Sequence, residues 1–88
     1  MERVFLADHA FKHGLSEIQI RHAWKNFLAK QHRSSPNEEE IVLVGCDAKG
    51  NLIQIVAIEK TCGILIYHAM TPPTRKVLSE LGLYRRWK

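Results

Sequence analysis

The sequence predicts an α+β fold: an antiparallel sheet of three or four strands, bordered by two N-terminal helices and one C-terminal helix. Three consecutive runs rich in Ile, Val and Leu, at residues 41–46, 52–59 and 64–70, predict strands. The links between these runs are short, whereas a parallel crossover needs a dozen or more residues. The runs should therefore pair in sequence order as an antiparallel meander, with the flanking amphipathic segments packed onto it.

Length and composition predict one domain over residues 1–88. The 88 residues are 45% hydrophobic, which is enough for one modest core. No apolar run approaches the roughly 20 residues of a membrane span, and the first residues lack a signal-peptide pattern, so we expect a cytoplasmic protein with no membrane partner. Cys46 and Cys62 should be reduced thiols. No His, Cys or acid spacing predicts a metal site, and no cofactor is expected.

The net charge of +4 is distributed unevenly along the chain. Residues 1–36 carry six Lys and Arg against three acids, residues 37–70 carry two against five, and residues 71–88 carry five against one. Helices from both ends could therefore form one positive surface over the sheet. This favours an anionic partner, either nucleic acid or an acidic protein, slightly over a charge that serves only solubility.

Two helices are predicted before the sheet, preceded by a short edge strand at residues 3–6. Asp8 can cap a short helix over residues 8–12, and Gly14 fits the left-handed residue that ends it. The next helix has Ser16 as its N-cap and Gln19 three residues later, the pattern of a capping box, and should run to about residue 30. Its buried stripe should consist of Ile20, Ala23, Trp24, Phe27 and Leu28.

A final helix is predicted after the sheet. Thr71 is a good N-cap and Pro72 a favoured first residue, so the helix should span residues 71–81 and end at Gly82. Its inner face should consist of Val77, Leu78 and Leu81. Residues 31–39 should form an exposed loop. Residues 84–88 mix aromatic and basic side chains, and predict either a frayed terminus or a partner-binding segment.

The third strand of the meander is apolar at first and carries the polar side chains Tyr67 and His68 near its end. Simple alternation places Ile64, Ile66, His68 and Met70 on one face of the sheet. His68 would then share a face with core residues, near the edge of that face. It could be a half-buried histidine bonded to a backbone carbonyl, or it could be a site residue, and both interpretations are open.

The sequence has no nucleophile elbow, phosphate-binding loop, dinucleotide fingerprint or metalloprotease helix. The mechanisms that remain are general acid/base catalysis and stabilisation by charged side chains. Cleavage of RNA without a metal needs one group to take the 2′-hydroxyl proton and another to protonate the leaving oxygen, with cations to stabilise the phosphorane. Suitable groups stand near the ends of the predicted elements. They are Lys12, His13, Arg21, His68 and Arg75.

Two segments resemble the BrnT-type ribonuclease toxins of bacterial toxin–antitoxin pairs, which have a RelE-like fold. Residues 12–16, Lys-His-Gly-Leu-Ser, precede an amphipathic helix and are similar to the "KHG" plus hydroxyl of that family. Residues 45–75 contain a strand, a Gly-containing turn and two more strands before a basic helix. Where the family usually ends its last strand in Ser-Ala-Arg, this chain has His68-Ala69-Met70.

The resemblance implies a RelE-like element order, β-α-α-β-β-β-α, and a metal-independent endoribonuclease that acts as the toxin of such a pair. His13 and His68 would be the acid/base pair, and Arg75 would replace the missing arginine. Lys12, Arg21 and Lys25 would bind RNA, although the helix face that carries the last two could also be only solvated. A cognate antitoxin would cover the basic face, and a homo-oligomer is possible. The alternative is a degenerate, non-catalytic relative that binds protein or nucleic acid.

Overall fold

The computed structural model describes residues 3–33 and 39–83. Eight elements follow one another along the chain. They are β1 (Val4–Leu6), a 3₁₀ helix (Asp8–Phe11), α1 (Glu17–Lys25), β2 (Phe27–His32), β3 (Glu40–Cys46), β4 (Leu52–Lys60), β5 (Gly63–Met70) and α2 (Arg75–Glu80). The central residues 34–38 of the predicted exposed loop and the predicted tail segment 84–88 lie outside the described residues.

The α+β class is confirmed, and β3, β4 and β5 form the expected antiparallel meander. The sheet has five strands in the order β1-β5-β4-β3-β2, so the expected number of three or four is too small. It is also mixed, because β1 runs parallel to β5. Residues 7–62 connect these two strands, so the minimum length of a parallel crossover is no obstacle. The expected edge strand at residues 3–6 is confirmed as β1.

The helix predicted to reach residue 30 ends at Lys25, and the prediction is wrong beyond that point. Asn26 closes the last turn, since its backbone N–H and its side-chain amide both donate to the carbonyl of His22. Residues Phe27–His32 pair with β3 instead, as strand β2. Phe27 is 44% exposed and Leu28 47% exposed, so neither belongs to the core as expected.

The predicted start of α1 is confirmed. Ser16 Oγ accepts from the backbone N–H of Gln19 at 3.1 Å, and Gln19 Oε1 accepts from the backbone N–H of Ser16 at 2.9 Å, which completes the capping box. Gly14 has φ +82° and ends the preceding turn in the left-handed conformation, as expected. That turn is a 3₁₀ helix whose N-cap is Ala7, so Asp8 is not its cap.

The last helix begins later than predicted. Thr71 directs its hydroxyl to the carbonyl of Leu52, at 2.6 Å, and does not cap the helix. Thr74 is the N-cap, and its Oγ1 accepts from the N–H of Val77 at 3.2 Å. The predicted end is confirmed, since Gly82 has φ +73°. The inner face of Val77, Leu78 and Leu81 is also confirmed.

The sheet has a different core on each face. The face that packs against α1 and the 3₁₀ helix, the α1 face, includes Leu43, Ile53, Ile55 and Ile66, all fully buried. We call the opposite face the α2 face. There, Val77 and Leu83 pack on Val42 and Val44 of β3. In the described part of the chain, no helix is long and apolar enough to cross a membrane. Within the same residues, no cluster of three His, Cys, Asp or Glu could hold a metal ion.

Candidate active site

A β-bulge in β5 decides which way His68 points. Ala57 of β4 pairs with Ile66, but the next pair is Val56 with His68, so Tyr67 is an extra residue in β5. Val56 and Ala57 are neighbours in β4 and point to opposite faces, and their partners must do the same. His68 therefore lies on the α2 face, not on the face of Ile64 and Ile66, and the expectation from simple alternation is wrong.

His68 meets His13 beside the end of β5. The two ring centroids are 5.4 Å apart, with an angle of 76° between the ring planes, which is an edge-to-face contact. β1 pairs with β5 only as far as Ile66, and the chain then turns into the 3₁₀ helix, which packs against β5. The turn that ends at Gly14 follows directly, and it carries His13 to the half-buried His68.

Burial and neighbouring charge both hold His68 neutral. Burial lowers the pKa of His68 below its usual value of 6.5, because the charged imidazole loses contact with water. Positive charge at His13, His9 and Lys12 lowers this pKa further. At neutral pH His68 is therefore a neutral imidazole at the centre of basic groups, and a neutral imidazole can accept a proton.

Gln54 of β4 orients the imidazole of His68. Gln54 Oε1 accepts from the backbone N–H of Thr74 at 2.9 Å and from the Thr74 hydroxyl at 3.1 Å. A backbone N–H can only donate, so this contact identifies the amide oxygen, and the amide NH₂ must point the other way. That NH₂ lies 3.4 Å from His68 Nε2. In a neutral His68 the lone pair is then on Nε2, and the proton is on Nδ1.

The structure brings together only some of the site residues that the sequence predicts. Lys12 directly precedes His13, and its charge acts on His68. Arg75 is the exposed first residue of α2 and follows Thr74, which bonds Gln54. Lys12 therefore belongs to the neighbourhood of the two histidines, and Arg75 is one residue away from the group that holds Gln54 beside His68.

Arg21 and Lys25 lie elsewhere, on α1. Arg21 Nη1 donates to the carbonyl of Val4 at 3.0 Å, and Arg21 Nε pairs with Glu17 at 2.7 Å. Val4 pairs with Ile64, which is four residues before His68 in β5. That is roughly 13 Å at about 3.3 Å per residue. Arg21 therefore stands near the start of β5, away from the histidine pair, and Lys25 follows it one turn later on α1.

Sequence reasoning missed a polar network beside His68. The hydroxyl of Tyr67, the bulge residue, donates to Glu40 Oε2. Glu40 Oε1 accepts from Arg33 Nη1 at 3.0 Å, and Arg33 Nε pairs with Glu80 at 3.2 Å. Burial, together with the bond to Glu40, raises the pKa of Tyr67 to about 12. The network therefore connects the ends of β2 and α2 to the bulge.

Sequence signals for these partners were weak. Gln54 is the only polar residue between Leu52 and Ile58, and this interruption of an apolar strand could have identified it as a buried site residue. It is 5% exposed in the structure. Tyr67 has no comparable signal, because an aromatic residue is ordinary in a strand and a bulge depends on pairing with a distant segment.

Comparison with known proteins finds no similarity from which a function could be transferred. No family model matches the chain, and neither a curated protein nor a solved structure matches it. The resemblance to BrnT-type toxins therefore stays a prediction, and the function has to be argued from the histidine pair and its surroundings.

Proposed function

We propose that this protein is a metal-independent endoribonuclease in which His13 and His68 act as the acid/base pair. The observation that carries the proposal is the pairing of the two rings, 5.4 Å apart, beside the charge of Lys12 and His9. The two histidines are far apart in sequence and come from different elements. Two imidazoles with cations around them are the groups that cleavage of RNA without a metal requires.

The proposed reaction is an internal transfer at phosphorus. Neutral His68 takes the 2′-hydroxyl proton at Nε2, and the 2′-oxygen forms a bond to phosphorus. The bond from phosphorus to the 5′-oxygen breaks, and His13 in its protonated form donates a proton to that oxygen. The products are a 2′,3′-cyclic phosphate and a free 5′-hydroxyl. The 2′-hydroxyl would displace the Gln54 amide from Nε2, which is a modest cost because that contact is long, at 3.4 Å.

The charge around the pair suits the phosphate of this reaction. Lys12 would stabilise the negative charge of the phosphorane, and a proton on His9 would add to this effect. Arg75 would reach the same phosphate from the start of α2, replacing the arginine that the toxin family has where this chain has Met70. All three side chains are exposed, so a polynucleotide can approach them.

The test is incubation of the purified protein with RNA in the presence of EDTA. His13→Ala and His68→Ala should each lower the cleavage rate by roughly 10²–10⁴-fold, the range for loss of a positioned proton-transfer group. His32→Ala is the matched control, because His32 is an exposed histidine of β2 that pairs with Glu59. The wild type should show a bell-shaped dependence of the rate on pH. Equal RNA decay in the wild type and both site variants would reject the proposal.

The biological role that we propose is that of a toxin held inactive by a cognate antitoxin in the cytoplasm. The support is the resemblance at residues 12–16 and 45–75, together with the acid/base pair that would attack cellular RNA. Induction of the wild type should stop growth, and His68→Ala should relieve the arrest. Growth arrest of the same size from both proteins would argue against RNA cleavage as its cause.

A second candidate is a non-catalytic domain that binds nucleic acid or protein. It is favoured by the Gln54 amide, which faces the only nitrogen of neutral His68 that could accept a proton. Met70 in place of the family arginine points the same way. This candidate predicts RNA binding that weakens with salt and no cleavage under any condition of the EDTA assay.

A further inference from the structure

A cavity of about 350 Å³ lies between β1 and α1, and Val4 in its wall pairs with Ile64 near the start of β5. It is lined by Val4, Arg21, His22, Trp24 and Lys25. Among the described residues, the lining combines one aromatic ring with two permanent cations and a histidine, and the acid Glu17 pairs with Arg21. An aromatic face beside positive charge suits a ligand that has a flat ring and a negative charge.

The walls of this cavity are held in place before any ligand arrives. Arg21 is bonded to Glu17 and to the carbonyl of Val4, which uses two of the five N–H donors of a guanidinium. His22 Nδ1–H donates to the carbonyl of Cys46 at 2.7 Å. Trp24 is half-buried and packs against the core of the α1 face. A ligand would therefore find a platform that needs little ordering on binding.

A continuous segment of chain joins the cavity to the histidine pair. β1 begins at Val4 in the cavity wall, the 3₁₀ helix follows it, and Lys12 comes next. The separation of roughly 13 Å along β5 can be spanned by a few nucleotides of an extended single strand. Basic side chains stand at both ends of this segment, Arg21 and Lys25 at one end and Lys12 at the other.

We propose that the cavity binds a base of single-stranded RNA, stacked on Trp24, and that Arg21 and Lys25 hold the adjoining phosphate. The RNA then follows residues 4–12 to the histidine pair. This inference rests on the proposed function, since its ligand is the proposed substrate. Stacking uses the ring face that every base has, so the subsite adds affinity and selects single strands without selecting a sequence.

The test is fluorescence anisotropy with a labelled 2′-O-methyl oligouridine of about eight nucleotides, a length within the range of single-strand sites. This probe has no free 2′-hydroxyl and is not cleaved by the proposed reaction. Trp24→Leu should weaken binding by about 5- to 150-fold, which corresponds to the loss of one stacked base. Trp24→Phe keeps an aromatic face and should bind within a few-fold of the wild type. Thermal unfolding of both variants checks that each is folded.

An oligomer of the same length and charge with abasic sites separates stacking from charge. The wild type should bind it more weakly than oligouridine, and Trp24→Leu should bind it as the wild type does. Lys25→Gln, at an exposed position, should weaken both probes equally and reduce the slope of log K against log salt by about 1. Equal affinity of the wild type for both probes, or equal oligouridine binding by Trp24→Leu and Trp24→Phe, would overturn the inference.

The outcomes for this subsite and for the proposed function are distinct. RNA cleavage that needs His13 and His68, with no effect of Trp24→Leu on binding, would reject the subsite alone. Binding that depends on Trp24, with no cleavage by any form of the protein, would support the subsite and reject the nuclease. The protein would then be the non-catalytic binding domain.

Discussion

The two faces of the sheet are built from the same strands and differ in what they contain. On the α1 face, a single cluster of buried apolar residues extends from β5 across β4 to β3. On the α2 face, apolar residues of β3 lie under α2, but β4 and β5 contribute Gln54, His68 and the bulge residue Tyr67. The first face is a continuous dry core, and the second is a core that becomes polar toward β5.

The difference shows how a small domain can separate stability from chemistry. In β4, alternate residues serve the two purposes, since Ile53 and Ile55 point into the dry core while Gln54 between them faces His68. On the second face Gln54 has Thr74 as a partner, because α2 begins there. The chemistry therefore occupies the face whose covering helix supplies hydrogen bonds.

The largest effect on stability should come from the α1 face. Ile55→Ala should lower the free energy of unfolding by about 2–5 kcal/mol, because Ile55 is fully buried and its removal leaves a cavity. Ile58→Ala is the matched control in the same strand, since Ile58 pairs with Leu65 on the α2 face and is half-buried. It should cost about half as much, in proportion to the apolar area that it buries. Urea unfolding measures both values. Equal costs would mean that Ile55 and Ile58 are equally buried from solvent.

On the α2 face, a substitution at Gln54 should change the pKa of His68. In Gln54→Glu, one carboxylate oxygen can still accept from Thr74, and the other brings a negative charge to His68 Nε2. The lowered pKa of His68 should then rise by about 1–3 pH units, because an adjacent opposite charge favours the imidazolium. NMR titration of the imidazole C–H protons measures the change, with the exposed His32 as an internal reference. An unchanged His68 would show that the side chain of residue 54 does not face it.

The same pKa gives stability a dependence on acid pH. Between the lowered pKa of folded His68 and its usual value of 6.5, the unfolded chain binds more protons than the folded chain. The stabilisation from neutral His68 is therefore complete above about pH 6.5, is lost progressively as pH falls toward the lower pKa, and then levels off. Gln54→Glu should flatten this acid-side loss of stability in urea unfolding at stepped pH.

A smaller effect is expected at the bulge. Tyr67→Phe removes the hydrogen bond to Glu40 and should cost about 1 kcal/mol at pH 7, since both groups are only half-buried. The pKa of Tyr67 is about 12 in the folded chain and 10.0 in the unfolded chain. The wild type should therefore lose stability as pH rises from about 10 toward 12. Tyr67→Phe has no hydroxyl to titrate and should not show this loss. A double-mutant cycle with Glu40→Ala, which leaves no acceptor at residue 40, measures the coupling, and strictly additive costs would contradict the bond.

The parts of the fold that could be predicted from the sequence depend on local signals. The meander follows from three β-rich runs with short links, and the start of α1 follows from Ser16 and Gln19. The parallel pairing of β1 and the extra residue Tyr67 in β5 depend on which distant segments meet. Neither composition nor periodicity contains that information.

The candidate site also has features that could be predicted from the sequence and features that could not. The sequence predicts His13 and His68 as site residues because both lie near the ends of elements. The structure places their rings 5.4 Å apart. Their catalytic roles stay a prediction. The face on which His68 lies and the tautomer that Gln54 favours could not be predicted, because the first depends on the bulge and the second on Thr74. The sequence assigns Arg21 and Lys25 to the same site as the histidines from the basic face of α1 and the family resemblance, and neither of these fixes the position of a side chain.

Strand β2 shows most directly why periodicity can mislead. Phe27 and Leu28 fall three and four residues after Trp24, at helical spacing, and so extend the apolar stripe of α1 in sequence. Pairing with β3 overrides this pattern and places residues 27–32 at the edge of the sheet. Burial at these positions depends on whether a helix covers the edge, which the sequence pattern does not show.

Phe27→Ala should therefore have a small effect for the loss of an aromatic side chain. Phe27 pairs with Gly45 and so points to the α1 face, yet it is 44% exposed because it lies at the edge strand. The Lys30 ammonium lies 4.9 Å from its ring centroid, and an exposed cation–π contact contributes about 0.5–1 kcal/mol. Phe27→Ala should cost about 1–2 kcal/mol in urea unfolding, from this contact and from the buried part of the ring, not the ~3–5 kcal/mol of a fully buried aromatic residue. A cost near that of Ile55→Ala would show that residue 27 is buried, and that the dry core of the α1 face extends to the edge of the sheet.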